Sequence, residues 1–199
     1  MKILVVGGGA REHALCWKLA QSPLVRELLC TPGNPGTNEV ARNLPFKAND
    51  IHSIVNAVQE LEIDFVVVGP EEPLSLGLAD EMAKLGVPCF GPTQAAAQIE
   101  TSKQWAKTVM TAGNVPTGRS VPVAEFDDAL AALDGFGLPV VIKADGLAAG
   151  KGVVVARTRA EAEDALQSFL ADRTLGDAGA LCLIEEYLEG SELSVFALC

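Results

Sequence analysis

Positive charge is scarce in this 199-residue chain. Fifteen lysines and arginines stand against 26 acids, for a formal net charge of −11. No basic cluster interleaves with aromatic residues, which argues against nucleic acid as a partner. Long apolar runs are also missing. Although 49% of the residues are hydrophobic, none of the runs approaches the roughly 20 residues a membrane helix requires. The opening run, Ile3 to Val6, meets glycine at once and is too short for a secretion signal. The two histidines, His13 and His52, cannot build a histidine-rich metal site. The five cysteines (Cys16, Cys30, Cys89, Cys182, Cys199) are odd in number and contain no Cys-x-x-Cys. They read as reduced, mostly buried small hydrophobes of a cytoplasmic protein. An acidic chain that takes anionic ligands must do so through local loops and lysines, not through its overall field.

Such a loop lies between Leu138 and Ala156. Two β-branched apolar runs, Val140 to Ile142 and Val153 to Val155, flank a segment carrying Gly146, Gly150, Lys151 and Gly152. The pattern predicts strand, glycine-rich loop, strand. Glycines let backbone N–H groups approach an anion closely, and Lys151 adds a mobile positive charge. One charge pair at ~4 Å is worth roughly 4 kcal/mol at an effective dielectric of 20, and a triphosphate offers several. The loop is not a Walker A motif: three residues separate Gly146 from Gly150, Gly152 follows the lysine, and a strand comes next. A hairpin with an incidental surface lysine is the bland alternative. Lys143 argues against it, because an unpaired ammonium inside an apolar strand would be costly.

The first hundred residues alternate strands and helices. Lys2 to Val6 reads as a strand and Glu12 to Ala20 as a helix, joined by Gly7-Gly8-Gly9-Ala10-Arg11. Strand, glycine turn, helix N-terminus is a phosphate-binding layout. It is a poor dinucleotide fingerprint, since Glu12 stands where a third glycine belongs and the next strand, Leu28 to Cys30, ends in Thr31-Pro32 rather than a ribose-binding acid. Arg11 suits a phosphate cradled by that turn. The helix Ile51 to Leu61 and the strand Asp64 to Val68 follow. The latter ends in Gly69-Pro70-Glu71-Glu72-Pro73-Leu74, expected as a rigid ligand-side loop. Glu71 and Glu72 could grip an amine or sugar hydroxyls, or simply face water. A helix Leu76 to Leu85 and a strand Val87 to Phe90 complete a parallel sheet with helices on both faces.

Gly91-Pro92-Thr93 marks a boundary region. Helices are predicted at Ala95 to Ile99 and Ser102 to Ala112. Lys103 falls in a first helical turn, where it opposes the dipole unless an anion lies near. Ser120 to Val123 reads as a strand and Phe126 to Leu133 as a helix. Thr158 to Glu161 has capping-box spacing and opens a helix to Leu170. Leu181 to Ile184 is an apolar strand running into Glu185-Glu186-Tyr187-Leu188. Glu192 to Leu198 alternates as a half-buried strand would. Ile184 to Leu188 and Glu192 offer the apolar slot, backbone groups and acid that an adenosine needs.

Taken in order, Gly7 to His13, Pro32 to Thr37, Gly69 to Leu74, Gly91 to Thr93, Ile142 to Val153 and Ile184 to Leu188 resemble the phosphoribosylamine–glycine ligase family of ATP-grasp enzymes. The resemblance covers essentially the whole chain. It implies an α/β fold: an N-terminal parallel-sheet, Rossmann-like (pre-ATP-grasp) substrate domain over 1–101, then the first part of an ATP-grasp domain over 102–199. It implies ATP-dependent joining of glycine to 5-phosphoribosylamine in purine biosynthesis, through a glycyl phosphate. Lys103, Lys143 and Lys151 would neutralise the triphosphate beneath the 146–152 loop (Gly146, Gly150, Gly152), with Lys151 acting in catalysis. Glu185, Glu186, Leu188 and Glu192 would hold adenosine. Gly9, Arg11, Glu12, Gly69, Pro70 and Glu71 would face phosphoribosylamine.

Ala10 departs from the glycine common before Arg11, which is tolerable if its φ is negative. Family members continue for roughly as many residues again, so the chain is expected to be an N-terminal portion, inactive alone. The Mg2+ (or Mn2+) ligands are expected beyond Cys199, and the remaining C-terminal part is an expected partner. The alternatives are another ATP-grasp ligase or carboxylase subunit, which bicarbonate-stimulated ATP turnover would reveal, and a non-catalytic ATP-binding module, which would bind nucleotide without substrate-dependent ADP release.

Overall fold

A computed structural model describes residues 1–148, 150–195 and 197, and its contacts divide the chain into units Met1–Glu100 and Thr101–Cys199. No described helix is long and apolar enough to cross a membrane.

The first unit is built on five parallel strands: β1 (Lys2–Gly7), β2 (Glu27–Pro32), β3 (Arg42–Asn43), β4 (Phe65–Val68) and β5 (Cys89–Phe90), in the order β3-β2-β1-β4-β5. β1 is central, and its alternate residues feed two cores. Leu4 and Val6 pack with Ile54 and Val58 of α2 (Ile51–Glu60), and with Leu78 and Met82 of α4 (Leu78–Leu85). Ile3 and Val5 pack with Cys16 of α1 (Ala10–Leu19). Burial on both faces is what makes the strand continuously apolar. Because the chain leaves β1 to one side for β2 and returns on the other as β4, a topological switch point opens between the carboxyl ends of β1 and β4.

Three expectations change here. The Gly69–Leu74 segment is not wholly a loop: Glu71–Ser75 forms a short helix, α3, whose first turn holds Glu71 and Glu72, where carboxylates suit the positive end of the dipole. The following helix begins at Leu78, not Leu76, because Gly77 takes a left-handed φ of 87° and separates the two helices. The first helix opens at Ala10, two residues early, so Ala10 needs no glycine-only conformation.

α5 (Gln94–Thr101) leads into the second unit, whose described residues form four antiparallel strands: β6 (Ser120–Val123), β7 (Val140–Ala144), β8 (Val153–Ala156) and β9 (Cys182–Glu186), in the order β6-β9-β7-β8. One face, with Val140, Ile142, Ala144, Cys182 and Ile184, packs on α7 (Phe126–Leu133) and α8 (Arg159–Leu166). The other face carries Lys143 and Glu185. It is reached by Lys107 of α6 (Lys103–Ala112).

The helix expected to run to Leu170 ends as α-helix at Leu166 and continues as a π-helical turn, Gln167–Ala171, that still buries Phe169 and Leu170. Its capping box is displaced: Thr158 Oγ1 accepts from Glu161 N, whereas the Glu161 carboxylate accepts from Arg157 N. The strand expected at Glu192 to Leu198 does not form among the described residues. Leu193 and Val195 are exposed and no ladder partner holds them, and a strand exists only through its ladder bonds. Phe196 and Leu198 lie outside the described residues.

Candidate functional site

In the first unit the site lies at the switch point. Glu12 is 3% exposed, and its Oε2 accepts the Gly9 N–H at 2.6 Å. The carboxylate is wedged among glycines. A Cβ on Gly7 would fall 2.5 Å from Glu12 Cγ, and one on Gly69 would fall 2.1 Å from Glu12 Oε1. The glycines flanking β1 and β4 are thus the room that Glu12 occupies. Its buried Oε1 accepts no hydrogen bond from the described residues. A buried acceptor left so costs about 1–3 kcal/mol.

Arg11, largely exposed, has its guanidinium 3.9 Å from the Glu71 carboxylate. The loop after β2 buttresses this mouth. Asn34 donates to Gly8 O and Gly9 O, and Thr37 and Asn43 hold the Asn34 backbone. Glu12 reaches both Gly9 and Gly69, and Arg11 reaches Glu71, so the residues predicted on Gly9–Glu12 and Gly69–Glu71 meet in one place, with Pro70 as the N-cap of α3.

In the second unit a cavity of about 670 Å³ is lined by Val141, Lys143, Val155, Glu185, Leu188 and Glu192, with the intervening 186–191 segment. That volume suits a drug-sized ligand. Lys143 faces Leu183 across the ladder and Val141 faces Glu185, so Lys143 and Glu185 are diagonal neighbours on one face. They form an ion pair, Lys143 Nζ to Glu185 Oε2, that lacks hydrogen-bond geometry. Glu185 Oε1 takes a hydrogen bond from Lys107, whose ammonium also donates to Thr117 Oγ1 (2.6 Å) and Gly118 O (2.8 Å). Burial pushes the Glu185 carboxyl up, but the Lys107 and Lys143 ammoniums together outweigh it and hold it below its ordinary value.

The glycine loop springs from fixed roots. Ala144 N donates to Gly152 O, Asp145 N to Leu181 O and Gly146 N to Ala178 O. A Cβ on Gly146 would meet Ala178 Cα at 2.8 Å, and one on Gly152 would meet Ala148 Cβ at 2.8 Å, so both glycines are demanded by packing. Gly150 is different: its φ of 81° demands glycine although the space around it is open. Lys103 lies at the start of α6, beside the root of this loop. Its ammonium donates to Asp145 O and Gly146 O, and the Asp145 carboxylate accepts from Gln104 N at the start of α6. Lys151 is exposed, and its ammonium makes no ion pair among the described residues. Among the described residues no group of three or more His, Cys, Asp or Glu side chains is placed to hold a metal ion.

Two family models account for the whole chain: phosphoribosylglycinamide synthetase, N domain, over residues 1–100, and phosphoribosylglycinamide synthetase, ATP-grasp (A) domain, over residues 101–199. The chain belongs to the phosphoribosylglycinamide synthetase family. The phosphoribosylamine–glycine ligase of Caulobacter vibrioides is 50% identical over 202 aligned residues, which take in all of this chain and 46% of that protein. The corresponding ligase of Vibrio parahaemolyticus is 46% identical, again over all of this chain and 47% of its own length. The crystal structure of the Thermotoga maritima phosphoribosylamine–glycine ligase superposes with a TM-score of 0.80 at 27% identity, covering 96% of this chain and 45% of that one. The biotin carboxylase domain of a Hydrogenobacter thermophilus 2-oxoglutarate carboxylase shares the fold, with a TM-score of 0.75 at 18% identity. The chain therefore spans about half the length of the curated relatives it matches.

Within this synthetase-family frame, Lys143, Glu185, Glu186, Leu188 and Glu192 line one cavity, while Lys103, Gly146, Gly150 and Gly152 belong to the loop and its root. Lys107 was not among the predicted site residues. Its one sequence signal is the spacing of four from Lys103, which puts both lysines on one face of α6.

Proposed function

We propose that this chain is the N-terminal part of an ATP-dependent ligase that joins glycine to 5-phosphoribosylamine, giving glycinamide ribonucleotide, ADP and phosphate in purine biosynthesis. The observation that carries the reading is the 670 Å³ cavity, where Lys143 and Glu185 sit beside the Leu188–Glu192 segment in a chain of this family.

In this reading the glycine carboxylate attacks the γ-phosphorus of ATP, ADP leaves, and the resulting glycyl phosphate is attacked by the amine of phosphoribosylamine, expelling phosphate. Adenosine takes the cavity: Glu192 accepts from ribose hydroxyls, and the backbone of Glu186 and Leu188 reads the base edge. Lys143 and Lys151 face the phosphates, while Lys103 fixes the Asp145–Gly146 root of the loop. Such positioning and charge compensation is most of what a protein contributes to phosphoryl transfer. In the first unit the unpartnered Glu12 Oε1 suits a hydroxyl or ammonium donor. The Gly9 turn at the head of α1, with Arg11, suits the 5-phosphate, and Glu71 suits the amine end.

Mg2+ (or Mn2+) would supply positive charge to offset that of the phosphates. The described residues do not form a site for it. The ligands would come from the part of the family's length this chain does not span, which is also its expected partner. The low cysteine reactivity expected of buried thiols suits a cytoplasmic location. The test is ADP release by the protein that carries this chain, with glycine and freshly generated phosphoribosylamine each omitted in turn. Release that needs both supports the ligase, and release driven instead by bicarbonate refutes it.

A further inference from the structure

Glu185 is a buried acid in close contact with two ammoniums that differ in exposure and in their other partners. Lys107 has three N–H donors and three acceptors: Thr117 Oγ1, Gly118 O and Glu185 Oε1. Its side chain is 16% exposed, and nothing is left for it to bind. Lys143 is 29% exposed, lines the cavity, and meets Glu185 Oε2 without hydrogen-bond geometry. Lys107 is the more enclosed ammonium and its donors are all taken up, whereas Lys143 is the one that borders the cavity. The trio carries two positive charges and one negative, and Lys143 is its ammonium that lines the cavity.

We propose that Lys107 is a positioning residue for nucleotide binding: it keeps Glu185 charge-satisfied, so that Lys143 can turn from the acid to a polyphosphate without stranding a buried carboxylate. The inference rests on the nucleotide reading above. Without Lys107, Glu185 and Lys143 would compensate each other fully. Drawing Lys143 away would then break a largely buried pair, an event that weakens an equilibrium by about 10²–10³-fold in fully dry sites. The cavity admits water, so the expected loss is about 10- to 100-fold.

The experiment measures the Kd of β,γ-imido-ATP for the protein carrying this chain, in four forms: unaltered, Lys107→Met, Glu185→Gln, and both changes together. Lys107→Met should raise Kd about 10- to 100-fold when Glu185 is present, and by less than about threefold in the Glu185→Gln background, where no carboxylate needs a counter-ion. Lys107→Arg should recover part of the loss, and the KM for glycine should not move. A Lys107→Met effect of equal size in both backgrounds, or none in either, overturns the inference. If the unaltered protein binds no nucleotide, the functional reading fails instead.

A measurement on the unaltered protein stands apart from any folding defect. In reductive methylation with labelled formaldehyde, Lys107 should stay protected with and without the analogue, whereas Lys143 should become protected only with it. Lys107 labelling as fast as Lys143, or becoming labelled when nucleotide binds, also refutes the proposal.

Discussion

Replacing Gly69 with alanine puts a methyl group where the Glu12 side chain already is. The new Cβ would lie 2.1 Å from Glu12 Oε1 and 2.6 Å from both Cγ and Cδ, so one side must move. If Glu12 moves, it gives up its 2.6 Å hydrogen bond from Gly9 N. Such a bond to a charged group is worth about 1.5–3 kcal/mol. If instead the end of β4 moves, overpacking costs about 1–3 kcal/mol. Against either stands the loss of unfolded-chain entropy on replacing glycine, which favours the folded state by about 0.4–1 kcal/mol wherever φ permits alanine. Gly69 has no positive φ, so the favourable term applies in full.

The net expectation is a destabilisation of about 1–2 kcal/mol. In a Glu12→Ala background the obstructing atoms are gone, and Gly69→Ala should become stabilising by about 0.4–1 kcal/mol. Urea unfolding followed through Trp17 of α1, with Trp105 changed to phenylalanine to silence the other indole, reads the first unit directly. A shift in midpoint of the same sign and size in both backgrounds would show that Glu12 is not what Gly69 makes room for.

Two glycines of the loop should separate packing from conformation. Gly146→Ala, facing Ala178 backbone at 2.8 Å, should lower the melting temperature of the second unit through about 1–3 kcal/mol of overpacking. Gly150→Ala, with open space but a φ of 81°, should cost about 1 kcal/mol in loop conformation, and on the proposed nucleotide reading it should appear chiefly as a raised Kd for β,γ-imido-ATP. Glu185 predicts an acid limb in stability. Its native carboxyl titrates below the ordinary 4.5, so its contribution is full above that value and is lost as pH falls through the native one. Glu185→Gln should flatten that limb in melting curves taken from pH 6 downward. Burial pushes the Cys89 and Cys182 thiols up to about 11 from 9.0, so the folded chain retains thiol protons the unfolded chain releases. Stability should fall as pH rises above 9, and alkylation of both thiols at pH 8 should be far slower than in urea. Equal rates in the two conditions would contradict the burial.

The sequence was most legible where local pattern and burial agree. The unbroken apolar run Ile3 to Val6 and the β-branched runs around the 146–152 loop place strands close to where they form. Lys143 was legible as a problem, a charge in an apolar strand, but its solution was not. Glu185 lies 42 residues away in sequence, and Lys107 lies 78 from Glu185, so only the β7–β9 register and the fall of α6 bring the three together. Short-range expectations failed for physical reasons as well. Gly-Pro at 69–70 reads as a rigid loop, yet the two acids after it suit a helix start so well that a turn of helix forms. The alternation at Glu192 to Leu198 reads as a strand, but alternation specifies a face and not a partner, and among the described residues no partner pairs with it.

The order of strands in the first unit also sets a timetable for its synthesis. β1 is made first but belongs in the middle, with Ile3 beside Leu28 on one side and Phe65 on the other. Its second neighbour therefore leaves the ribosome about 60 residues later, roughly 3–12 s at ordinary elongation rates. Throughout that interval Ile3-Leu4-Val5-Val6 keeps at least one strand edge unpaired on a nascent chain, and a β-prone edge of that kind is what chaperones engage and other nascent chains can capture. Lowering elongation speed between Pro32 and Val68 should therefore reduce soluble yield, even though it changes no contact in the finished fold.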